Sequence, residues 1–260
     1  MNRIDAAFQH KPIFMPYFPL GYPDLETSID VIEALAKNGA DLVEVGLAFS
    51  DPLADGPVIQ RATQIALEKG ITVKKSLRAV AELRRRGVAI PLVLMGYYNP
   101  MLAYGLGQFV QDALAAGADG LIIPDLPPEE AGEIESTAGD LALIRMLAPT
   151  TPPERMEWIA RGASGFIYLV SVTGVTGARS SLAAGLEALI ARVREHTRAP
   201  VCVGFGIGTP EQARAVARLA DGVIVGSACV RAVGESPAPV ATAQSFAQSY
   251  KNRIINAQHP

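Results

Sequence analysis

Eight apolar runs of strand length recur along the chain, and most are followed by a segment with helical periodicity. The runs are IFMPYF at 13–18, LVEVGL at 42–47, PLVLMG at 91–96, GLIIP at 120–124, LALIRML at 141–147, GFIYLV at 165–170, PVCVGF at 200–205 and GVIVG at 222–226. Segments rich in Ala, Leu, Glu and Arg lie between them, among them TSIDVIEALAKNG, EEAGEIESTAG, PPERMEWIARG and PEQARAVARLA. The runs are nearly continuous rather than alternating, which means burial on both faces, as in a parallel sheet covered by helices. A weak internal repeat points the same way. NGADLVEVG, AGADGLIIP, RGASGFIYL and RLADGVIVG each set an Ala and then an Asp or Ser before a strand, so one join is built four times. Eight such units in 260 residues fit a single α/β fold, a (β/α)8 TIM barrel with a short N-terminal helix. A doubly wound open sheet is the alternative architecture. No Gly/Ser-rich linker or shift in composition divides the chain, so 1–260 reads as one domain.

Charge narrows the partners. With 23 basic and 26 acidic residues, the net charge of -3 is spread without long blocks, which excludes a nucleic-acid or polybasic membrane surface. Any anionic ligand is then held locally. The stretch 87–111 is uncharged, but Pro91, Asn99, Pro100 and the glycines at 96, 105 and 107 interrupt it as a membrane span. The start lacks a signal-peptide pattern, Asp5 following Arg3 and Ile4, and Cys202 and Cys229 are the only cysteines. Reduced core thiols and a cytoplasmic location are the expectation.

In such a barrel the chemistry lies at the C-terminal ends of the strands. Glu44 stands inside LVEVGL, where poor solvation favours the acid form and suits a proton donor or acceptor; an outward Glu paired with a helix Arg is the other reading. The following FSDPLADGP carries Asp51 and Asp55, with Pro57 placed to open a helix. Asp55 is either a turn or cap residue or the second of two carboxylates that divide acid and base duties at one barrel mouth. GFGIGTPEQ and GSA, after the seventh and eighth strands, supply Gly204, Gly206, Gly208, Gly226 and Ser227 for a phosphate, or else only tight turns. The spacing is not the dinucleotide pattern. SVTGVTGARSS, with Gly174, Gly177 and Arg179, is a mobile lid or a plain surface hairpin.

Absences shape the chemistry too. Lysines occur only at 11, 37, 69, 74, 75 and 251, so from the third strand onward no strand end offers an amine for a Schiff base. His10, His196 and His259 lie near the termini or just before the seventh strand, and the two cysteines lack zinc spacing, so no metal is expected. Carboxylate acid/base chemistry on a phosphate-held substrate remains.

VEVGLAFSDPLADGPVIQ, PLVLMGYYNP, PDLPPEE, APTTP, GFIYLVSVTGVTGAR and VGFGIGTPEQ, in this order, closely resemble the alpha subunits of tryptophan synthase, and the likeness runs from PYFPLGYPD near residue 16 to GSA at 226. The resemblance implies cleavage of indole-3-glycerol phosphate to indole and glyceraldehyde 3-phosphate. It also implies a beta-subunit partner in an alpha2-beta2 heterotetramer, with pyridoxal phosphate in the beta subunit and no cofactor in this chain. By motif, Glu44 is implied as the main acid/base and Asp55 as its companion. Tyr17, Tyr97 and Tyr168 fall at positions beside the substrate, Thr176 and Gly177 in the lid, and Gly206, Gly226 and Ser227 at the phosphate, with Phe205 at its wall. Arg145 departs from the family, which usually has an apolar residue there; it points either into the pocket or outward to a helix carboxylate. A stand-alone lyase and a non-catalytic phosphate-binding barrel that regulates its partner are the competing readings.

Overall fold

The computed structural model describes residues 2–170, 179–204 and 206–257, with backbone alone over 179–184. Eight parallel strands follow one another around a closed barrel, which rules out the open sheet. They are β1 (Ile13–Pro19), β2 (Val43–Gly46), β3 (Leu92–Met95), β4 (Gly120–Ile122), β5 (Ala142–Leu147), β6 (Ile167–Val170), β7 (Val201–Gly204) and β8 (Gly222–Val225), each on one of the eight apolar runs. The register Ile13↔Gly222 between β1 and β8 closes the ring.

The helices begin with α1 (Arg3–Ala7), the expected short N-terminal helix, then α2 (Leu25–Lys37), α3 (Pro57–Glu68), α4 (Val73–Arg85), α5 (Tyr98–Tyr104) and α6 (Leu106–Ala116). They continue with α7 (Gly132–Thr137), α8 (Pro153–Arg161), α9 (Arg179–Arg194), α10 (Pro210–Ala217), α11 (Ser227–Gly234) and α12 (Pro239–Ile255). Local chemistry sets their ends. Asp24 accepts from the Thr27 amide at 2.8 Å to cap α2, and Pro57 opens α3 as its first residue. The uncharged stretch at 87–111 is broken at Gly105, whose φ of 94° only glycine adopts freely, so it holds β3 and two separate helices. Among the described residues no helix is long and apolar enough to cross a membrane.

Alternate strand residues face opposite ways. Ile13, Met15, Leu42, Val93, Ile122, Ile144, Tyr168, Cys202 and Ile224 fill the barrel, and Ile4 and Phe8 of the N-terminal segment close its lower end, Phe8 lying 5.9 Å from the Phe166 ring. The residues between them, such as Phe14, Phe18, Val43, Val45 and Leu94, face the helices. On β5 that parity sends Arg145 outward to Glu135 of α7, the second of its two expected orientations.

The fourfold join has a physical cause. Asp41, Asp119, Ser164 and Asp221 each stand just before an even-numbered strand, and each turns its side chain back to the preceding odd-numbered strand. Their oxygens accept the amides of Phe14 (2.7 Å), Leu92 (2.8 Å), Leu143 (2.7 Å) and Val201 (3.0 Å). Their own amides donate to the carbonyls of the same four residues at 3.0, 2.9, 3.1 and 2.9 Å. Each join thus grips one residue of its neighbour by both backbone groups. The three carboxylates also gather cations: Lys251 of α12 on Asp41, Arg84 and Arg3 on Asp119, and Lys11 and Arg194 on Asp221. Burial works to raise the Asp221 carboxyl, but hydrogen bonds from Lys11, the Val201 amide and Arg194 outweigh it and hold the group below its usual value.

The four joins should differ in energy by their cations. Asp119→Ala removes the carboxylate from the half-buried Arg84, leaving it only the carbonyls of Val88, Ile90 and Gly117, and orphans the Leu92 amide, so it should cost about 3–5 kcal/mol. Ser164→Ala, which removes a neutral acceptor, should cost about 1–3 kcal/mol. Urea unfolding of both variants checks this, and a Ser164→Ala loss equal to that of Asp119→Ala would show that the cations add nothing.

Candidate active site

Glu44 extends from β2 to the barrel interior, on the same side as Leu42, while Val43 and Val45 pack against helices. Its residue exposure is 3%, and Oε1 has no hydrogen-bond partner. Burial drives its carboxyl up to about 8, and the nearby charge of Asp55 adds to the rise. The acid form therefore predominates at neutral pH. This is the interior reading of Glu44, with no arginine on it.

Two tyrosines flank the acid. Tyr17 of β1 is the register partner of Glu44, and its hydroxyl lies over Gly46, where an added Cβ would come within 2.2 Å of it. Tyr168 of β6 uses Gly204 in the same way, its hydroxyl 2.4 Å from an added Cβ. Both hydroxyls are buried and titrate well above the usual tyrosine range, first through burial and then through the two nearby carboxyls. Glycines at the ends of β2 and β7 are thus clearances for phenol rings. Sequence reading quoted both glycines without giving them this role, because their use depends on which tyrosine crosses over them.

The loop after β2 brings Asp55 to the same mouth. Asp55 does not cap α3; Gly56 occupies the cap, without a side-chain hydrogen bond. Instead the Tyr97 hydroxyl donates to Asp55 Oδ2 at 3.0 Å and accepts the Ala54 amide at 3.0 Å. Tyr97 comes from the end of β3, and its ring rests 5.4 Å from that of Phe49, a contact absent from the expected set. Burial raises the Asp55 carboxyl, and the Tyr97 bond partly opposes that rise. A cavity of about 440 Å³ begins at Ala54, next to Asp55, and crosses the ends of β3 to β6 past Met95, Asp125, Met146 and Val170, reaching the helix-facing side of β5 at Arg145 and Ile159.

The candidate anion sites divide sharply. At α10, Thr209 and Gln212 form a reciprocal capping box, and Gln212 also accepts the Gly208 amide at 2.7 Å. Those donors are used. At α11, Gly226 takes the cap position with no side-chain hydrogen bond, and Ser227 is the first helical residue. An added Cβ at Gly226 would stand in ordinary contact with Ile59 and Tyr17 at 3.6 Å, which sets this helix start beside Tyr17. Gly206 holds a φ of 75°. Thr176, Gly177 and Phe205 lie outside the described residues, as does most of the expected lid. Among the described residues no cluster of three or more His, Cys, Asp or Glu could hold a metal.

The structure thus gathers Glu44, Asp55, Tyr17, Tyr97 and Tyr168 at one end of the barrel, with Gly226 against Tyr17. Comparison with known proteins agrees with the sequence motifs that supplied these residues. The sequence profile of the tryptophan synthase alpha chain matches residues 5–258. The alpha chain of Chloroflexus aurantiacus is 54% identical over 237 residues, covering 88% of this chain and 89% of that one. A crystal structure of the alpha chain from Legionella pneumophila superposes with a TM-score of 0.91 at 36% identity, covering all of both chains. Tryptophan synthase from M. tuberculosis in an aminoacrylate-bound form gives 0.88 at 34% identity, over 98% of this chain and 100% of that one. With the profile running almost end to end over a barrel of the same architecture, the chain belongs to the tryptophan synthase alpha chain family.

Proposed function

We propose that this chain, acting as one domain over 1–260, is the lyase that splits indole-3-glycerol phosphate into indole and glyceraldehyde 3-phosphate, with Glu44 and Asp55 as its acid/base pair. The observation that carries the reading is a buried Glu44 with an unpartnered oxygen, facing the mouth that Asp55 and Tyr97 also line. The Glu44 carboxyl protonates indole C3, and the ring becomes a cationic leaving group. The adjacent side-chain hydroxyl then gives up its proton. Its electron pair forms the aldehyde carbonyl as the bond to C3 breaks, and that bond's electrons restore the aromatic ring. A single carboxyl serves both transfers, since the carboxylate left by the first accepts the proton of the second. Asp55 accepts the indole N–H and stabilises the charge that develops there. The phosphate sits on the open N-terminus of α11, with Gly206 and Ser227 beside it, and Met95, Met146 and Val170 offer apolar surface to the ring. No cofactor is needed in this chain.

The family implies a beta-subunit partner, and we assign its docking to the loop at 49–57. Leu53 there is 90% exposed, near the exposed Asp51, while Asp55, two residues further on, belongs to the acid pair. Contact with Leu53 would order the loop and so couple assembly to turnover. An alpha2-beta2 heterotetramer in the cytoplasm, with pyridoxal phosphate in the beta subunit, completes the reading.

Glu44→Gln should keep the fold and ligand affinity but lower kcat at least about a thousandfold, as expected for loss of the proton carrier. Indole release with a matching circular dichroism spectrum measures it; a loss under tenfold would remove Glu44 from the mechanism. In the wild type, kcat/KM should fall as pH rises through about 8, where the donor proton is lost.

Stability should carry the same signature. The folded pKa of about 8 lies above the ordinary 4.5, so the native state holds a proton that the unfolded chain has released across that window. Native stability from this group is intact below 4.5 and declines up to 8. Glu44→Gln removes the slope and should be more stable than wild type by on the order of a few kcal/mol at pH 9, with no advantage near pH 4. Chemical denaturation at the two pH values checks it, and equal differences would place the Glu44 pKa near its ordinary value.

Ser227→Asp sets a negative charge at the open helix end and should weaken glycerol 3-phosphate binding at least about tenfold in calorimetry. Unchanged affinity would move the phosphate elsewhere. Leu53→Asp should weaken complex formation with the beta subunit and reduce activation, leaving the slow reaction of the isolated chain largely intact; size-exclusion and kinetic titrations that match wild type would place the interface on another surface.

A further inference from the structure

One carboxylate at the mouth has no part in the proposed reaction. Asp125 follows β4 in a turn stiffened by Pro124 and Pro127, and the buried Leu126 anchors that turn, its amide donating to the Ile123 carbonyl at 3.3 Å. It borders the cavity that begins beside Asp55, so a third catalytic acid is one use for it. Its hydrogen bond points to another. Asp125 Oδ1 accepts the amide of Tyr98, the first residue of α5, at 2.9 Å.

That cap matters because of the residue before it. Tyr97 occupies the cap position of α5 but gives the helix no side-chain acceptor. Its hydroxyl turns instead to the loop after β2, donating to Asp55 Oδ2 and accepting the Ala54 amide, each at 3.0 Å. Asp125 supplies from β4 the acceptor that the helix start lacks. With seven residues, of which only Met101 is buried, α5 is too short to hold itself in place. The Tyr104 hydroxyl ties its far end to Asp112 of α6 at 2.6 Å, and Asp125 ties its near end.

We propose that Asp125 is a positioning residue for the lyase: by fixing the first amide of α5 it fixes the Tyr97 hydroxyl, which holds Asp55 Oδ2 and leaves Oδ1 for the indole N–H. This rests on the reading of Asp55 as one of the acid pair. The path from β4 to the loop after β2 needs only two hydrogen bonds and the peptide link between Tyr97 and Tyr98. Phe49, at the start of the same loop, packs 5.4 Å from the Tyr97 ring and limits its swing.

Asparagine separates the two uses of Asp125. Its side-chain oxygen still accepts the Tyr98 amide, while the charge and the proton-carrying group are gone. Asp125 is exposed, so neither asparagine nor alanine there disturbs the core. Asp125→Ala should lower kcat for indole release at least about tenfold, and Asp125→Asn should stay within about threefold of wild type. In a Tyr97→Phe background, Asp125→Ala should change kcat by less than about threefold, because the bond it supports is already gone.

A second readout does not depend on turnover. Carbon-13 NMR of the full chain labelled at aspartate Cγ, with the signal assigned through Asp55→Asn, follows the Asp55 carboxyl as it titrates among Glu44, Tyr17, Tyr97 and Tyr168. Loss of the Tyr97 bond raises its midpoint, whereas loss of a nearby negative charge can only lower it. Tyr97→Phe and Asp125→Ala should both raise the midpoint, and Asp125→Asn should not. Circular dichroism verifies the fold of each variant. The proposal is overturned by an unchanged kcat or Asp55 midpoint in Asp125→Ala, by Asp125→Asn proving as damaging as Asp125→Ala, or by losses that multiply in the double variant. A wild-type chain that releases no indole would instead remove the lyase reading, and the Asp55 midpoints would still decide whether Asp125 holds that carboxyl in place.

Discussion

Four polar side chains, Asp41, Asp119, Ser164 and Asp221, hold the lower rim of the barrel by gripping the strand before them through both its amide and its carbonyl. Parallel strands have no hairpin to fix their register, and a one-residue slip would exchange the interior and exterior sets of side chains. A grip on both backbone groups of one residue prevents that slip in four places. The cations recruited by the three carboxylates extend the grip to α1, α4, α9 and α12, so helices far apart in sequence are tied to the same ring. The register thus fixed is what sets Tyr17 opposite Glu44 and sends Arg145 out of the barrel.

The two ends of the barrel treat charge in opposite ways. At the lower end carboxylates meet lysines, arginines and backbone amides, and Asp221 is held below its ordinary range. At the upper end Glu44 has no cation and an unpartnered oxygen, and burial favours its proton. An acid kept neutral by its surroundings is an unfavourable arrangement for a folded protein at high pH and a useful one for donating a proton. A well-tied rim lets the chain tolerate a buried acid at its mouth.

Helix ends show the same division of labour. The box of Thr209 and Gln212 takes up the amides of Gly208, Thr209 and Gln212, whereas α11 begins at a glycine with no side chain to answer its amides. Both helices follow a glycine-bearing loop, and only their capping distinguishes an occupied terminus from an open one. The open one lies against Tyr17, on the side of the acid pair.

Much of the fold was legible in the sequence because burial on both faces writes itself as continuous apolar runs, and eight such runs with helical spacers leave few architectures. Glu44 was legible for the same reason, as a lone acid in an apolar strand. Asp55, the three tyrosines and the phosphate glycines came from motif resemblance, since local spacing alone could not separate Asp55 from a cap or a tyrosine from barrel filling. The repeat before the even-numbered strands was visible, but its cause was not, because each Asp or Ser reaches a residue at least 20 positions away. The same limit hid the Phe49 contact with Tyr97, the clearances at Gly46 and Gly204, and the direction of Arg145. Local sequence determines which segments become strands and helices, through periodicity and capping. Only closure of the barrel decides which side of each strand faces inward, which distant groups meet, and hence which acid is left without a partner.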